Sequence, residues 1–537
     1  MRLMLVGHDY KYAVEQIMLA LFPGEKPIYS DADIIRSCEL VAESSLRSGS
    51  FYAQAQTLMR CNDRVSRGVA RIRRDKLVGK IVTDRLLQRI VKQSFYRAAS
   101  RLFAPASEEG DLPQDGSASL DVGSFSNRGA FPPVWGSLTG IRPAKIAAAA
   151  LEPGASPKSV ATRLAREFFV SPERAAMSIG AAQASLALKG SLAPRDIALY
   201  VGIPFCPTRC AYCSFVSNSV EKSFGLVEPF VDVLLSEIET AARAIRELGL
   251  QVISIYIGGG TPTALPDQAL EAVMQRIHAS LELSGVREYT VEAGRPDTIT
   301  AKKLDILARF GAGRICVNPQ SMSGEVLSAI GRKHSPEDTI EAVRLVREAQ
   351  TQNHPAIRAL NIDVIAGLPA DTPDGFARTL DTVLGFAPEN ITVHTLSLKK
   401  GSRIMLEGTA IPSGADVAKM LEYAALRLSE SGFRPYYLYR QKYTSGGFEN
   451  TGWSLPGYEC IYNMCMMEEL CTVLALGGGG VTKLVSPGGS ASDGSASDGS
   501  TSCKIERIFN AKYPREYILQ ADKIGEKFER VKAHFIR

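Results

Sequence analysis

The sequence predicts an α/β fold built on a parallel sheet, on three observations. From residue 197 onward, short apolar runs alternate with helix-length amphipathic segments, the rhythm of strands joined by crossover helices. The candidate strands are residues 197–203, 252–257, 288–292, 314–317, 360–365 and 391–396, enough for a partial barrel or an open sheet. Polar and glycine-rich features follow the carboxyl ends of these runs, where parallel α/β folds place their ligand sites. Cys206 comes after the first run, Gly258-Gly259-Gly260-Thr261-Pro262 after the second, Glu292 ends the third, Asn318-Pro319-Gln320 follows the fourth and Asp363 lies in the fifth.

Taken in order, residues 1–104 read as a basic, mostly helical region behind a possible strand at 3–6. Within 80–103, Val82, Leu86, Leu87, Ile90, Val91 and Phe95 recur at helical spacing. Arg60, Arg64, Arg67, Arg71, Arg73, Arg74 and Lys76 read as a solvated helix face, with an RNA or other anionic-partner surface as the alternative. Residues 105–130, rich in Ser, Gly, Asp and Pro, read as a linker or loop. Residues 131–194 form a helical segment leading into the barrel; Gly140 and Pro143 suit a turn before a helix start. There Arg142 and Lys145 read as structural, with an anionic substrate as the alternative. Residues 195–410 hold the strands, with helices expected at 226–248, 267–283 and 335–349. Residues 411–537 read as a smaller C-terminal domain with a helix at 415–429, an aromatic run at 433–443 and a low-complexity loop at 485–502.

The chain of 537 residues has room for two or three domains. Its 62 Lys plus Arg against 57 Asp plus Glu give +5, too mild to predict a nucleic-acid or membrane-surface partner. The apolar start, residues 1–7, is short and lacks a cleavage pattern, and no apolar run approaches the roughly 18 residues of a membrane span. A cytoplasmic monomer is expected, with its ten cysteines as thiols in a reducing compartment. Cys38, Cys61, Cys316 and Cys503 are scattered and read as incidental.

The stretch Tyr200-Val-Gly-Ile-Pro-Phe-Cys206-Pro-Thr-Arg-Cys210-Ala-Tyr-Cys213 sets three thiols at C-x3-C-x2-C just after a buried strand. Thiolates are soft ligands, and three of them hold three corners of an iron–sulfur cubane while leaving one iron open. A closed zinc site wants a fourth protein ligand, and neither His nor Cys follows within a few residues. Zinc and redox-active thiols stay as the alternatives.

This loop resembles the signature of radical S-adenosylmethionine (SAM) enzymes. Its surroundings, Tyr200, Ile203-Pro-Phe-Cys206 and Tyr212-Cys-Ser-Phe215, resemble the oxygen-independent coproporphyrinogen III oxidase (dehydrogenase) family, in particular its extended Firmicutes-type members. The segment from Trp135 to Lys145 agrees with that subgroup. The resemblance implies a partial (β/α)6 barrel, one 4Fe–4S cluster on Cys206, Cys210 and Cys213, and one or two SAM molecules. It implies that Gly259, Gly260 and Thr261 admit the methionyl end of SAM, that Arg332 pairs with its carboxylate and that Asp363 accepts ribose hydroxyls. Glu292, Gln320 and Ile365 complete that cradle, and Tyr212 packs beside the adenine. Tyr200 and His394 are the candidate catalytic residues, and Tyr200 is also a candidate cofactor-binding residue.

The implied reaction is reductive cleavage of SAM and conversion of two propionates of a porphyrinogen to vinyls, in heme biosynthesis, with electrons from a flavodoxin or ferredoxin. A heme-binding chaperone on the same scaffold and a radical SAM RNA-modifying enzyme are the alternatives. Two positions depart from the family pattern: Phe215 stands where typical oxidases have a fourth Cys, and Gly202 where His is usual. A late group, Cys460, Cys465 and Cys471, reads as buried helix thiols, with a second metal site as the alternative.

Overall fold

A computed structural model describes residues 1–22, 25–29, 40–103, 133–213, 218–220, 223–351, 356–398, 401–441, 445–486 and 504–536. The linker expected at 105–130, Cys38, Cys503, Ser214, Phe215 and nearly all of the loop expected at 485–502 lie outside the described residues.

Among the described residues, the N-terminal region pairs five strands, β1 (Arg2–Val6), β2 (Ile28–Tyr29), β3 (Leu40–Ser48), β4 (Tyr52–Cys61) and β5 (Arg64–Arg73), with two helices, α1 (Lys11–Leu21) and α2 (Lys80–Leu102). The sheet order is β2-β1-β3-β4-β5. This corrects the expectation of a mostly helical region. The arginines from Arg60 to Arg73 lie on strands, with Ser66, Gly68, Ala70 and Ile72 buried on the alternate face. Three of those four inward residues are small, so the period of two carries almost no hydrophobic contrast. They are small because α2 lies close: a Cβ on Gly68 would sit 1.9 Å from the Ser94 carbonyl oxygen. On its other side α2 docks onto the segment that follows, through Arg89–Glu167 (2.6 Å) and a Tyr96–Phe169 stack (4.7 Å).

Helices α3 (Pro143–Leu151), α4 (Pro157–Phe168) and α5 (Pro172–Gly190) precede the barrel, each with Pro in its first turn, where the missing N–H costs nothing. Arg142 and Lys145 both bridge Glu469, so the structural reading of that pair holds. Then come β6 (Asp196–Ile203), the short β7 (Phe205–Cys206) and β8 (Asn218–Ser219), α6 (Val227–Glu247), β9 (Gln251–Gly259), α7 (Asp267–Ser280), β10 (Glu288–Glu292) and α8 (Ala301–Arg309). β11 (Arg314–Gln320), α9 (Gly324–Ala329), α10 (Pro336–Thr351), β12 (Ala359–Ala366), α11 (Pro373–Gly385) and β13 (Asn390–Thr395) follow. β6, β9, β10, β11, β12 and β13 pair in that order and all in parallel, the partial (β/α)6 barrel expected.

The C-terminal elements are α12 (Arg403–Glu407), α13 (Gly414–Glu430), β14 (Arg434–Arg440), β15 (Glu449–Ser454), α14 (Ile461–Glu468), β16 (Thr472–Gly477), β17 (Val481–Ser486), β18 (Lys504–Phe509), α15 (Pro514–Leu519) and α16 (Ile524–Ile536). Their strands extend the barrel sheet at both edges: β15 and β14 antiparallel beside β13, and β16 parallel to β6 with β17 and β18 beyond. The two barrel edges are thereby covered rather than left as open templates.

One buried carboxylate fastens the β16 edge. Glu237 on α6 accepts from Lys527 Nζ (2.8 Å), the Tyr517 hydroxyl (2.6 Å), the Gly477 N–H (2.7 Å) and Asn510 (3.0 Å). Among the described residues no helix is long and apolar enough to cross a membrane.

Candidate active site

The three thiols sit on a loop pinned on several sides. β7 and β8 bracket it, the Val220 N–H donates to the Cys206 carbonyl (2.9 Å), and the Ala211 N–H donates to Ile330 O (2.9 Å). The Thr261 N–H, at the end of the glycine segment, donates to Phe205 O (2.6 Å), and its hydroxyl lies 3.4 Å from Cys206 Sγ. Arg295 Nη1 stands 3.9 Å from Cys210 Sγ. Cys206, Cys210 and Cys213 are partly exposed and none is in a disulfide. Among the described residues no group of three or more His, Cys, Asp or Glu is placed to hold a single metal ion. A cubane makes no such demand, since each thiolate ligates a different iron.

Around this loop the rim gathers most of the expected residues. Gly259 has φ +106°, and a Cβ on Gly260 would press to 2.4 Å from the Phe205 carbonyl oxygen, so only glycine lets β9 turn under the loop. Gln320 ends β11 in the left-handed region (φ +71°), just past a register shift. Its Oε1, the neighbouring Asn318 Oδ1 and Arg332 Nε are buried without hydrogen-bond partners. Unsatisfied polar atoms cost free energy when water is excluded, and three of them gather at this rim.

Arg332 donates from Nη1 to the Asn318 carbonyl (2.5 Å) and from Nη2 to the Tyr212 hydroxyl (2.9 Å), which leaves Nε without a hydrogen-bond partner. Tyr212 therefore braces Arg332, and together with Ile365 it packs on the apolar cluster of Ala211, Ile330 and Leu368 behind the loop.

The barrel interior holds the remainder. Tyr256 donates to Glu292 at 2.5 Å. Burial pushes the Glu292 carboxyl up to about 7, against the Tyr256 hydrogen bond and with help from the nearby Asp363 charge. His394 sits 3.6 Å from Asp363 and 3.3 Å from Asn450. Burial lowers its pKa, but Asp363 and Asn450 outweigh that and leave it raised. Tyr200 lies in an aromatic stack, 5.7 Å from Tyr462 and 6.3 Å from Tyr256 between ring centroids.

Sequence reasoning missed Tyr462, Asn450 and His334, and it named Asn318 as a rim feature without giving it a site role. Tyr462 and Asn450 come from the C-terminal region and have no local signal. Asn318 was visible beside Gln320. His334, two residues beyond Arg332, is buried with neither ring nitrogen hydrogen-bonded; burial, with Arg332 and Arg295 nearby, lowers it to about 4. Cys460, Cys465 and Cys471 are all buried, but against the expectation of helix thiols only Cys465 lies within α14; Cys460 precedes that helix and Cys471 precedes β16, and Cys460 Sγ donates to Glu288 (3.2 Å).

Gly202 pairs with Gly477 across β6 and β16. A Cβ there would lie 2.6 Å from the Gly478 carbonyl oxygen and 3.2 Å from the Tyr200 ring, so this backbone has no room for the histidine usual in the family pattern. Gly202→His is expected to cost about 1–3 kcal/mol through overpacking and to raise no activity. Equilibrium urea unfolding checks the first outcome and turnover assays the second.

A thiol triad beside a glycine cradle, at the carboxyl rim of six parallel strands, defines a radical SAM protein, and the Radical SAM superfamily model matches residues 200–383. More narrowly, the chain belongs to the oxygen-independent coproporphyrinogen-III oxidase-like family. It is 36% identical over 400 residues to the oxygen-independent coproporphyrinogen-III oxidase-like protein HemZ of Bacillus subtilis (strain 168), covering 74% of this chain and 75% of that one. It is 32% identical over 250 residues to the oxygen-independent coproporphyrinogen III oxidase of Pseudomonas aeruginosa (45% and 52% of the two chains). It is 26% identical over 268 residues to the heme chaperone HemW of Escherichia coli (strain K12), covering 50% and 65%. The solved coproporphyrinogen III oxidase (HemN) of Escherichia coli aligns with TM-score 0.47 and 22% identity over 63% of this chain and 73% of that one.

Proposed function

We propose that this protein dehydrogenates coproporphyrinogen III without oxygen, converting two propionates to vinyls. The observation that carries the reading is the joint placement of the partly exposed thiol triad and the three unsatisfied atoms of Asn318, Gln320 and Arg332 at one rim, over an interior walled by Tyr200, Tyr256 and Tyr462. A cluster held by Cys206, Cys210 and Cys213 with SAM on its open iron supplies, when bound, a one-electron route to hydrogen abstraction. The protein's own groups bind, orient and manage protons.

Gln320, Asn318 and Arg332 Nε supply polar contacts for SAM, and Gly259 and Gly260 keep the approach clear. Thr261 and Arg295 steady Cys206 and Cys210. Tyr200, the partly exposed ring of the stack, offers a face to a tetrapyrrole, backed by the buried Tyr256 and Tyr462. His394, kept charged toward neutrality by Asp363 and Asn450, holds the proton that the family's usual histidine would hold at position 202.

The test is anaerobic reconstitution with coproporphyrinogen III, SAM and a reduced flavodoxin or ferredoxin, followed by chromatography. Vinyl-bearing porphyrin formed together with deoxyadenosine supports the reading. Deoxyadenosine without porphyrin change overturns it, and stoichiometric heme binding without turnover favours the chaperone reading.

Glu292 gives a second handle. Its carboxyl is protonated below about 7, and a cationic sulfonium ligand favours the carboxylate. SAM affinity is therefore expected to rise as pH goes from about 6 to about 8, approaching tenfold per unit on the acid side. Calorimetric titration across that range checks it; Glu292→Gln is expected to flatten the profile.

A further inference from the structure

Both helices of the N-terminal region lie on one side of its sheet. The buried residues of β4 and β5 face α2, and α2 in turn docks on the segment around Glu167 and Phe169. Among the described residues, no helix packs on the opposite face.

Strand register places Arg47, Arg60, Arg67, Arg71 and Arg73 on that face with one acid, Glu43. Two of the guanidiniums are held by neutral amides. Arg67 donates from Nε (3.0 Å) and Nη2 (2.5 Å) to Gln56 Oε1, and Arg71 Nε donates to Gln54 Oε1 (2.6 Å). A glutamine fixes the direction of a guanidinium without cancelling its charge, whereas a carboxylate would do both. Among the described residues, only Arg73 of these three has an acidic partner, the exposed Asp75 at 2.7 Å.

The charge is regional. Residues 1–103 carry 18 Lys plus Arg against 10 Asp plus Glu, a net +8, while the whole chain is +5 and the remainder is therefore −3. The mild whole-chain value conceals this asymmetry.

We propose that the open face of the N-terminal sheet binds single-stranded nucleic acid. Same-face residues on a strand recur every ~6.8 Å, so β5 offers its arginines as a line suited to successive backbone phosphates. Phe51 and Tyr52, 81% and 49% exposed, stand at one end as rings on which bases stack. A five-stranded sheet is too broad for a duplex groove, which admits a helix or a two-stranded ribbon. Unstacked bases lie flat on such a face.

The test is fluorescence anisotropy of a labelled oligouridylate with the full chain over a salt series. Wild-type affinity should fall with salt at a log–log slope of about −2 to −3.5, as three to five phosphate contacts require. The combined Arg67→Gln, Arg71→Gln and Arg73→Gln variant should bind at least tenfold more weakly, with its slope reduced by about 2. Lys at the same three positions should retain the slope, and Phe51→Ala with Tyr52→Ala should weaken binding at least fivefold with the slope unchanged. Circular dichroism and an unaltered melting midpoint certify that each variant is folded. The proposal is overturned by absence of binding at low salt, by unchanged affinity in the folded Gln variant, or by equal competition from polyglutamate or phosphatidylserine vesicles.

Discussion

Alanine at any one of Cys206, Cys210 and Cys213 is expected to abolish the visible iron–sulfur absorption of the anaerobically reconstituted protein and, with it, reductive cleavage of SAM. The three thiols sit on one short loop, and each would ligate a different iron. Loss of one thiolate should therefore remove the cluster rather than weaken it. Neighbours that steady the thiols act more gently. Arg295→Ala withdraws a cation 3.9 Å from Cys210 Sγ, and Thr261→Ala a hydroxyl 3.4 Å from Cys206 Sγ. Outer-shell losses of this kind cost about 10–100-fold in metal affinity or activity. Electron paramagnetic resonance of the reduced protein separates the two classes. A full-strength cubane signal in all three Cys variants would remove the chemical basis of the proposed function.

Glu237→Ala is the change expected to cost most stability. The carboxylate is buried and accepts hydrogen bonds from a buried ammonium, a phenol, an amide side chain and a backbone N–H. Removing it strands Lys527 without its counter-charge, and breaking a buried pair from one side costs about 3–5 kcal/mol. The melting midpoint should fall by about 3–6 °C. Replacing both partners, Glu237→Leu with Lys527→Met, should recover part of the loss, because no uncompensated charge remains. The effect also reaches the site. The Gly477 N–H is one of the four donors, and Gly477 lies across from Gly202 on the strand that leads to Cys206. A single-variant loss under about 1 kcal/mol by scanning calorimetry would show that the cluster around Glu237 is not the fastening it is taken to be.

Much of the barrel was legible in the chain. Each of its strands is buried on both faces and so reads as a continuous apolar run, and the observed β10 has the expected bounds, Glu288–Glu292. The N-terminal sheet was not legible, since Ser66, Gly68 and Ala70 are sized by the approach of α2 rather than by hydrophobicity. The bracing of Arg332 by Tyr212 was not legible either. The two residues are 120 positions apart, and only the closing of the loop onto the end of α9 brings them together.

By itself the sequence determined the order of strands and helices along the barrel, the thiol loop, the rim positions Gly259, Gly260 and Gln320 and the interior carboxylates Glu292 and Asp363. Each of these is set by short-range pattern: the burial of a run, the residue that ends it and the turn that follows. Tertiary structure alone decided that β14, β15 and β16 close the two barrel edges, that Tyr462 joins Tyr200 and Tyr256, and that Gly478 occupies the space a side chain at Gly202 would need. Those outcomes depend on contacts between segments about 60 to 280 residues apart, where hydrogen bonding and packing of the whole sheet, rather than local preference, select the partner.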